Sequence, residues 1–267
     1  MHHLQTGFWK QAENLSQMKA KQAKTGETYM EDKKQKGIAY GVGIGPGDPE
    51  LMTLKACRLI RENDVIAVPG KAPKEAVAYK IAVQAVPELA DKELVSVYMP
   101  MVRDRDVIKE SHAKAAALLE SYLDSGRNVV YLTLGDSTIY CTFSYIQHIL
   151  EADGYDVELV SGIPSFCAAA ARLGTSLTEW NESLHVMPAL HNTHEGALEW
   201  PGNYVLMKSA SRMPEVKKML SASGYDVIAA ENCSMENEKL YRSVDEIPDD
   251  AGYFTLIIAR EKKGSSI

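Results

Sequence analysis

The chain has 267 residues, of which 45% are hydrophobic and 24% are charged, and its formal net charge is −7. That composition excludes a disordered tail and a collagen-like repeat, and it leaves enough chain for one large core or two modest ones. The acidic balance argues against a nucleic-acid-binding protein, because neutralising phosphates requires a basic face.

The cysteines and the apolar runs indicate where the protein works. No apolar run approaches the roughly 20 residues that span a bilayer, and the first residues lack a charged segment followed by an apolar one. The four cysteines are widely spaced and form no Cys-x-x-Cys motif, which is typical of buried thiols in a reducing compartment. We therefore expect a soluble, cytoplasmic protein without membrane contact.

Residues 1–36 differ in character from the rest, since seven lysines and four acids give them a charge of +3, against −10 for the remainder. They are predicted to form a flexible basic extension. From Ile38 onward, short apolar strands alternate with helical stretches, a pattern typical of an α/β fold with a largely parallel sheet. The predicted strands span residues 38–44, 65–68, 129–134, 157–160, 202–208, 227–232 and 253–259, and the helices span 51–62, 74–85, 106–125, 140–152, 165–173 and 213–223. Two α/β domains are predicted, at residues 37–156 and 157–267.

A glycine-rich loop at residues 41–48 follows the first strand and reads Gly-Val-Gly-Ile-Gly-Pro-Gly-Asp. It is not a dinucleotide fingerprint, because Asp48 or Pro46 stands where the last glycine of G-x-G-x-x-G belongs, and no Walker A sequence is present. The carboxylate of Asp48 would also repel a pyrophosphate. Four glycines at alternate positions instead predict a backbone loop that binds a ligand of little anionic charge.

Two further stretches are candidates for ligand binding. Residues 134–140 come at the carboxyl end of a buried strand, where α/β sheets bind ligands. Asp136 is suited to accept hydrogen bonds from a ribose or an amino group, to face a cation, or to cap the next helix. Residues 161–167 open a small-residue helix that packs closely on a sheet or a cofactor, with Ser165 as its cap. Structural and binding roles stay open for both stretches.

In this order, the three loops resemble the motifs of the tetrapyrrole methylase family, the class III S-adenosylmethionine-dependent methyltransferases. The shared patterns are GxGxGPGD at residues 41–48, GDxxxY at 135–140 and GxPS at 162–165, and the resemblance covers about residues 38–260. Residues 100–104, 165–173 and 233–238 look like the branch that methylates C20 of precorrin-2 or of its cobalt form, cobalt-factor II.

The resemblance implies two α/β domains with S-adenosylmethionine in the cleft between them, and a homodimer. Carried over by position, the cofactor-binding residues are Pro46, Leu134, Gly135, Asp136, Ile139, Pro164, Ser165, Phe166 and Met207. Ser234 stands where the family pattern has glycine, and we expect the exchange to be tolerated if the backbone there keeps a negative φ.

Catalytic and substrate-binding residues are predicted from chemistry as well as position. Asp48 and Tyr140 are candidates for orienting the substrate or moving a proton, and a structural hydrogen-bond role is open for each. The substrate's carboxylates need local cations in an acidic protein. We expect at least two basic residues to line the cleft, with Arg103 and Lys208 foremost and with the others near strand ends at Lys71, Arg105 and Arg212.

Methyl transfer from a sulfonium is a direct displacement that depends on positioning, so no activated nucleophile is required, and no convincing triad is present. No metal site is predicted, because His185, His191 and His194 lie in an irregular, polar stretch. Three alternatives remain. They are methylation of another corrin carbon or of uroporphyrinogen, a silent protein that only binds the cofactor or a tetrapyrrole, and a nucleotide-dependent oxidoreductase, which the failed fingerprint disfavours.

Overall fold

Five strands form the first sheet of the computed structural model, which describes residues 35–100, 102, 104–189 and 198–262. They are β1 (Ile38–Gly43), β2 (Val65–Pro69), β3 (Glu93–Val97), β4 (Val129–Thr133) and β5 (Asp156–Val160). All pair in parallel, in the order β3-β2-β4-β1-β5. Parallel strands need crossover connections, and the helices between these strands supply them.

Helices cover both faces of this sheet: α1 (Leu54–Glu62), α2 (Val77–Ala85), α3 (Arg105–Leu123) and α4 (Phe143–Ala152). Side chains of β4 alternate between two cores. Val130 and Leu132 pack with α1 and α2, whereas Val129 and Tyr131 pack with α3 and α4. Because helices cover both faces, every residue of β4 is buried, and four of its five residues are apolar.

The second sheet is mixed. It contains β6 (Leu184–Pro188), β7 (Asn203–Met207), β8 (Asp226–Glu231), β9 (Lys239–Tyr241) and β10 (Thr255–Arg260), in the order β6-β7-β10-β8-β9. Only β6 and β7 pair in parallel, while β10 runs antiparallel to β7 and β8. Helix α5 (Ser165–Leu173) packs against this sheet, and α6 (Met213–Ser223) lies between β7 and β8 in the chain.

The α/β class and the parallel or mixed sheets are confirmed, and α5 and α6 have the predicted bounds. The helix predicted from residue 51 begins at Leu54 instead, because the Thr53 hydroxyl accepts the Ala56 N–H at 3.2 Å and caps it there. The helix predicted from Tyr140 begins at Phe143, since Tyr140 has a left-handed backbone with φ of 47°. In the described part of the chain, no helix combines the length and apolar character needed to cross a membrane.

The predicted boundary between residues 156 and 157 falls inside β5, whose residues pair with β1 along the whole strand. The sheet pairing therefore favours a boundary after Val160, and the division into two domains stays a prediction. The predicted extension lies almost wholly outside the described residues, which begin at residue 35.

Candidate active site

The glycine-rich loop after β1 pairs with the loop after β4. Ile44 N–H donates to the Thr133 carbonyl at 3.0 Å. Gly45 and Gly135 then exchange backbone hydrogen bonds, at 3.2 Å from the Gly45 N–H and 2.8 Å from the Gly135 N–H. Two of the three predicted loops are thus joined at the carboxyl edge of the first sheet, where ligands of α/β proteins bind.

The loop after β5 approaches the same point so closely that only glycine fits. A Cβ on Gly43 would lie 2.7 Å from both the Gly135 oxygen and the Gly162 nitrogen. A Cβ on Gly162 would lie 2.1 Å from the Gly135 oxygen. Three backbone segments therefore meet without intervening side chains, and this three-loop junction, made of Gly43, Gly135 and Gly162, is the centre of the candidate site.

Asp136 locks this junction through both carboxylate oxygens. Its Oδ2 accepts the Gly162 N–H at 2.9 Å, and its Oδ1 accepts the Thr138 N–H at 2.7 Å together with the Thr138 hydroxyl. The buried Ser137 hydroxyl donates to the Val160 carbonyl at 3.0 Å. Asp136 therefore has a structural role, but not the predicted helix cap, because α4 begins at Phe143 without a side-chain cap. Any role of Asp136 toward a ligand stays a prediction.

An apolar cluster lies where the loops reach the second sheet. Three predicted cofactor-binding residues, Ile139, Phe166 and Met207, belong to this cluster, which also contains Cys233. Burial raises the pKa of Cys233, so its thiol is neutral near pH 7. The cluster offers a dry surface beside the polar backbone of the junction.

A turn at residues 233–238, which follows β8, covers the glycine-rich loop. A Cβ on Gly47 would lie 2.6 Å from the Cys233 oxygen and 2.9 Å from the Ser234 oxygen. Ser234 has φ of 62°, so the condition under which serine was expected to be tolerated in place of glycine is not met. Its position is left-handed, the conformation for which the family pattern has glycine.

An ion pair that the sequence analysis missed holds this turn. The Ser234 N–H donates to Glu238 Oε2 at 2.7 Å, and Arg172 Nε lies 2.9 and 3.1 Å from the two Glu238 oxygens. The hydrogen bond from Arg172 lowers the pKa of Glu238, partly offset by burial. Both residues belong to stretches on which the family resemblance rests. Because 66 positions separate them, no local sequence pattern indicates that they form a pair.

Tyr140, in the loop after β4, and Lys208, directly after β7, connect the two sheets at the carboxyl edge of the first sheet. The Tyr140 hydroxyl donates to the Val186 carbonyl at 3.0 Å, and Lys208 Nζ donates to the Tyr140 carbonyl at 3.4 Å. Partial burial raises the pKa of Tyr140, so the phenol stays protonated near neutrality. Both residues have positive φ, at 47° and 59°, a strained conformation that is common at functional sites.

A family model described as tetrapyrrole (corrin/porphyrin) methylases matches residues 39–247, which includes all three loops and the turn at Ser234. The chain belongs to the tetrapyrrole methylase family. The prediction from the three motifs is thereby confirmed.

Individual tetrapyrrole methylases match over nearly their full length. A Methanocaldococcus jannaschii protein named "Probable cobalt-precorrin-2 C(20)-methyltransferase" is 32% identical, over 84% of this chain and 96% of its own. The Salmonella typhimurium cobalt-precorrin-2 C(20)-methyltransferase is 27% identical, over 85% and 97%. The crystal structure of a uroporphyrin-III C-methyltransferase from Thermus thermophilus, complexed with S-adenyl homocysteine, matches with a TM-score of 0.61 at 23% identity, covering 84% and 98%, and shows the shared fold.

Several predicted site residues of this tetrapyrrole methylase lie apart from the apolar cluster. Leu134 packs instead against the core beneath α1 and α2. Pro46 is buried in the glycine-rich loop, and Pro164 directly precedes α5, whose first residue is Ser165. Asp48 Oδ1 accepts the Glu50 N–H at 2.8 Å, capping a short turn. Arg103 lies outside the described residues.

Two cavities in the described part of the chain lie away from the junction. A cavity of about 370 Å³ lies at the opposite edge of the first sheet, beside Lys55 and Asn128, and one of about 420 Å³ lies beside α6 and β8. Within the described ranges, no cluster of histidine, cysteine or acidic side chains has a metal-binding arrangement. His185 Nε2 lies 3.1 Å from the Pro201 carbonyl, while His191 and His194 fall outside those ranges.

Ser234→Gly is expected to stabilise this protein by about 1 kcal/mol, because glycine adopts the left-handed conformation without the Cβ clash. The Ser234 N–H that bonds Glu238 is retained, so the turn keeps its position. Urea unfolding of the two proteins measures the difference. Ser161→Gly, at an exposed position without positive φ, is the control and should be neutral or destabilising. A loss of stability in Ser234→Gly would contradict the left-handed assignment.

Proposed function

We propose that this chain transfers the methyl group of S-adenosylmethionine to C20 of precorrin-2 or of its cobalt form, a step of cobalamin biosynthesis. The observation that supports this most is the three-loop junction, which brings all three family motifs to one edge of the first sheet. The named relatives support the choice of C20, since their likeness extends over both sheets. The fold alone does not select the carbon, because uroporphyrin-III methyltransferases share it.

The backbone around Gly135 fits the polar end of S-adenosylmethionine. A Cβ built on Gly135, which has φ of 75°, would find the Ser165 nitrogen at 3.9 Å and the Ile163 oxygen at 4.0 Å as its nearest neighbours. The space beside Gly135 is therefore open to a ligand atom, with the Ser165 N–H as a donor and the Ile163 carbonyl as an acceptor at its margin. Pro164 makes no side-chain cap at α5, and free amides at a helix N-terminus favour a carboxylate.

The remaining proposed contacts are apolar and suit the rest of the donor. Ile139, Phe166 and Met207 offer dispersion contacts in a water-poor cluster. Together with these, the proposed cofactor-binding set consists of Pro46, Leu134, Gly135, Asp136, Pro164 and Ser165. When bound, S-adenosylmethionine supplies a methyl group on a sulfonium, whose positive charge is lost in the transfer.

The side chains near the junction support positioning chemistry. Burial raises the pKa of the Cys233 and Cys167 thiols, so neither is a thiolate nucleophile near neutral pH. Direct displacement needs only that the acceptor carbon be held in line with the methyl group. In this proposal Tyr140 and Asp48 orient the substrate, and Arg103 and Lys208 bind its carboxylates.

We also propose that the enzyme is a cytoplasmic homodimer. The proposal of a dimer rests on the family resemblance, and exposed aromatic side chains such as Trp180 and Trp200 are available for an interface. The cysteines of the chain are free thiols, which suits a reducing compartment. Light scattering coupled to gel filtration would report the mass in solution.

The decisive experiment incubates the purified chain with isotope-labelled S-adenosylmethionine and either precorrin-2 or its cobalt form, and locates the new methyl group by NMR. We expect label at C20 with at least one of the two substrates. Label at another carbon would replace the proposed regiochemistry. Calorimetric binding of S-adenosylhomocysteine without any methyl transfer would identify a silent binding protein.

A further inference from the structure

Unpaired basic side chains concentrate at one edge of the first sheet. Most described lysines and arginines lie within 4.0 Å of an acid, among them Arg212, which pairs with Glu215. Among described residues, no such pair is formed by four cations that follow β2 and β3, namely Lys71, Lys74, Arg105 and Lys109. We call these four the basic rim. Because β2 and β3 are parallel, the rim lies at the carboxyl edge, the edge that carries the three-loop junction.

Lys71 is held in place without being neutralised. Its Nζ lies 4.5 Å from the centre of the Tyr98 ring, and Tyr98 follows directly after β3. The Gly70 N–H donates to the Val97 carbonyl at 2.9 Å, and the Ser96 hydroxyl donates to the Gly70 carbonyl, so the two loops are tied together. A cation over an aromatic face keeps its charge and its N–H donors for an anion.

Three acids near the rim, Glu75, Asp104 and Glu110, already have partners. Glu75 lies 2.9 Å from Lys80 Nζ, and Glu110 lies 2.6 Å from Lys114 Nζ. Asp104 accepts the backbone N–H groups of residues 106 and 107 and caps α3. Asp106 lies in the first turn of α3, where the helix dipole favours a negative charge. The rim therefore presents positive charge in a protein that is acidic overall.

The position of the rim relates it to the junction. In the sheet, β2 lies between β3 and β4, and strands are about 4.8 Å apart. The loop after β4 carries Gly135 and Tyr140, and the loop that carries Lys71 follows the neighbouring strand at the same edge. Lys208 contacts Tyr140 from the second sheet. Lys71, from the first sheet, and Lys208, from the second, are therefore the described cations that we relate to a polycarboxylate bound at this edge.

We propose that Lys71, supported by Tyr98, is a binding site for a carboxylate on the periphery of the tetrapyrrole substrate, with Lys74 and Arg105 adding to the local positive field. This inference rests on the proposed function, because it takes the ligand to be a macrocycle with acidic side chains. It assigns the first sheet's outer loops to substrate rather than to S-adenosylmethionine.

Lys71→Gln is expected to raise the dissociation constant for precorrin-2 or its cobalt form about tenfold, since a charge-assisted hydrogen bond is lost. The dissociation constant for S-adenosylhomocysteine should not change. Tyr98→Leu, which removes the ring but leaves the charge, should weaken substrate binding about threefold, within the range for a partly exposed cation–π contact. Added salt should weaken binding more for the parent protein than for Lys71→Gln.

Lys218→Gln on α6 is the matched control, because Lys218 also forms no ion pair within the described residues but lies away from the rim. Melting temperatures of all variants exclude unfolding as the cause. If Lys71→Gln and the double variant with Lys74→Gln bind substrate as tightly as Lys218→Gln, the inference is overturned while the proposed function stands. If the parent protein binds S-adenosylhomocysteine but neither tetrapyrrole, the proposed function itself fails.

Discussion

Gly162→Ala is expected to abolish S-adenosylhomocysteine binding and to lower the free energy of unfolding by about 3 kcal/mol, the upper range for overpacking. The added methyl group would lie 2.1 Å from the Gly135 oxygen and 2.8 Å from the Gly43 carbonyl carbon. Because its neighbours are backbone atoms rather than flexible side chains, the loops can make room only by moving apart. The Asp136 bond to the Gly162 N–H would then be strained as well.

Gly154→Ala is the matched control for this prediction. Gly154 has φ of 79°, but nothing lies within 4 Å of the position of its Cβ. The exchange should therefore cost only the left-handed strain of about 1 kcal/mol, with ligand binding unchanged. Urea unfolding measures the stabilities and calorimetry the affinities. A Gly162→Ala protein that is as stable as Gly154→Ala and binds the ligand normally would show that the three backbones do not meet as described.

Glu238→Ala is expected to weaken S-adenosylhomocysteine binding at least tenfold, which corresponds to about 1.4 kcal/mol. The carboxylate holds both the Ser234 N–H and the Arg172 guanidinium, and its side chain is only 13% exposed. Removing it leaves two donors without their acceptor, and a lost hydrogen bond to a charged group costs about 1.5–3 kcal/mol. The turn that covers Gly47 would then lose the contact that maintains its left-handed residue.

The Arg58–Glu62 pair on α1 provides the comparison for Glu238→Ala. Both of its side chains are about half exposed, so Glu62→Ala should change stability by no more than about 0.5 kcal/mol and should leave binding unchanged. A double-mutant cycle with Arg172→Met and Glu238→Gln isolates the coupling between the two residues. Equal binding by Glu238→Ala and Glu62→Ala would contradict a positioning role for Glu238.

The Arg172–Glu238 contact also predicts a dependence on pH. In the folded protein the pKa of Glu238 is lowered. The stabilisation that ionised Glu238 provides is therefore complete above the pKa that this carboxyl has in the unfolded chain, and it is lost as the pH falls through the pKa in the folded protein. We expect the parent protein to lose stability relative to Glu238→Gln in acid and not near neutral pH. Unfolding curves recorded between about pH 3 and 7, which bracket an ordinary glutamate pKa, test the direction.

Much of the fold was predictable because its signals are local. The apolar run at residues 129–134, interrupted only by Thr133, indicated a strand buried on both faces, and α5 was predicted with its observed bounds from small apolar residues after Pro164. Three strands were missed for local reasons too. In β3 only Val95 and Val97 are buried, β6 contains no fully buried residue, and β9 has only three residues. Such segments become strands through the neighbours they pair with.

By itself, the amino-acid sequence determined the class of fold, the family and the three loops, because glycine spacing and apolar runs are properties of neighbouring residues. The tertiary structure alone decided that Gly43, Gly135 and Gly162 touch, that Asp136 ties them together and that Arg172 holds Glu238 across 66 positions. It also decided that Ser234 is left-handed and that Lys71 lies over Tyr98. These contacts join residues far apart in the chain, and their geometry depends on packing that no local pattern encodes.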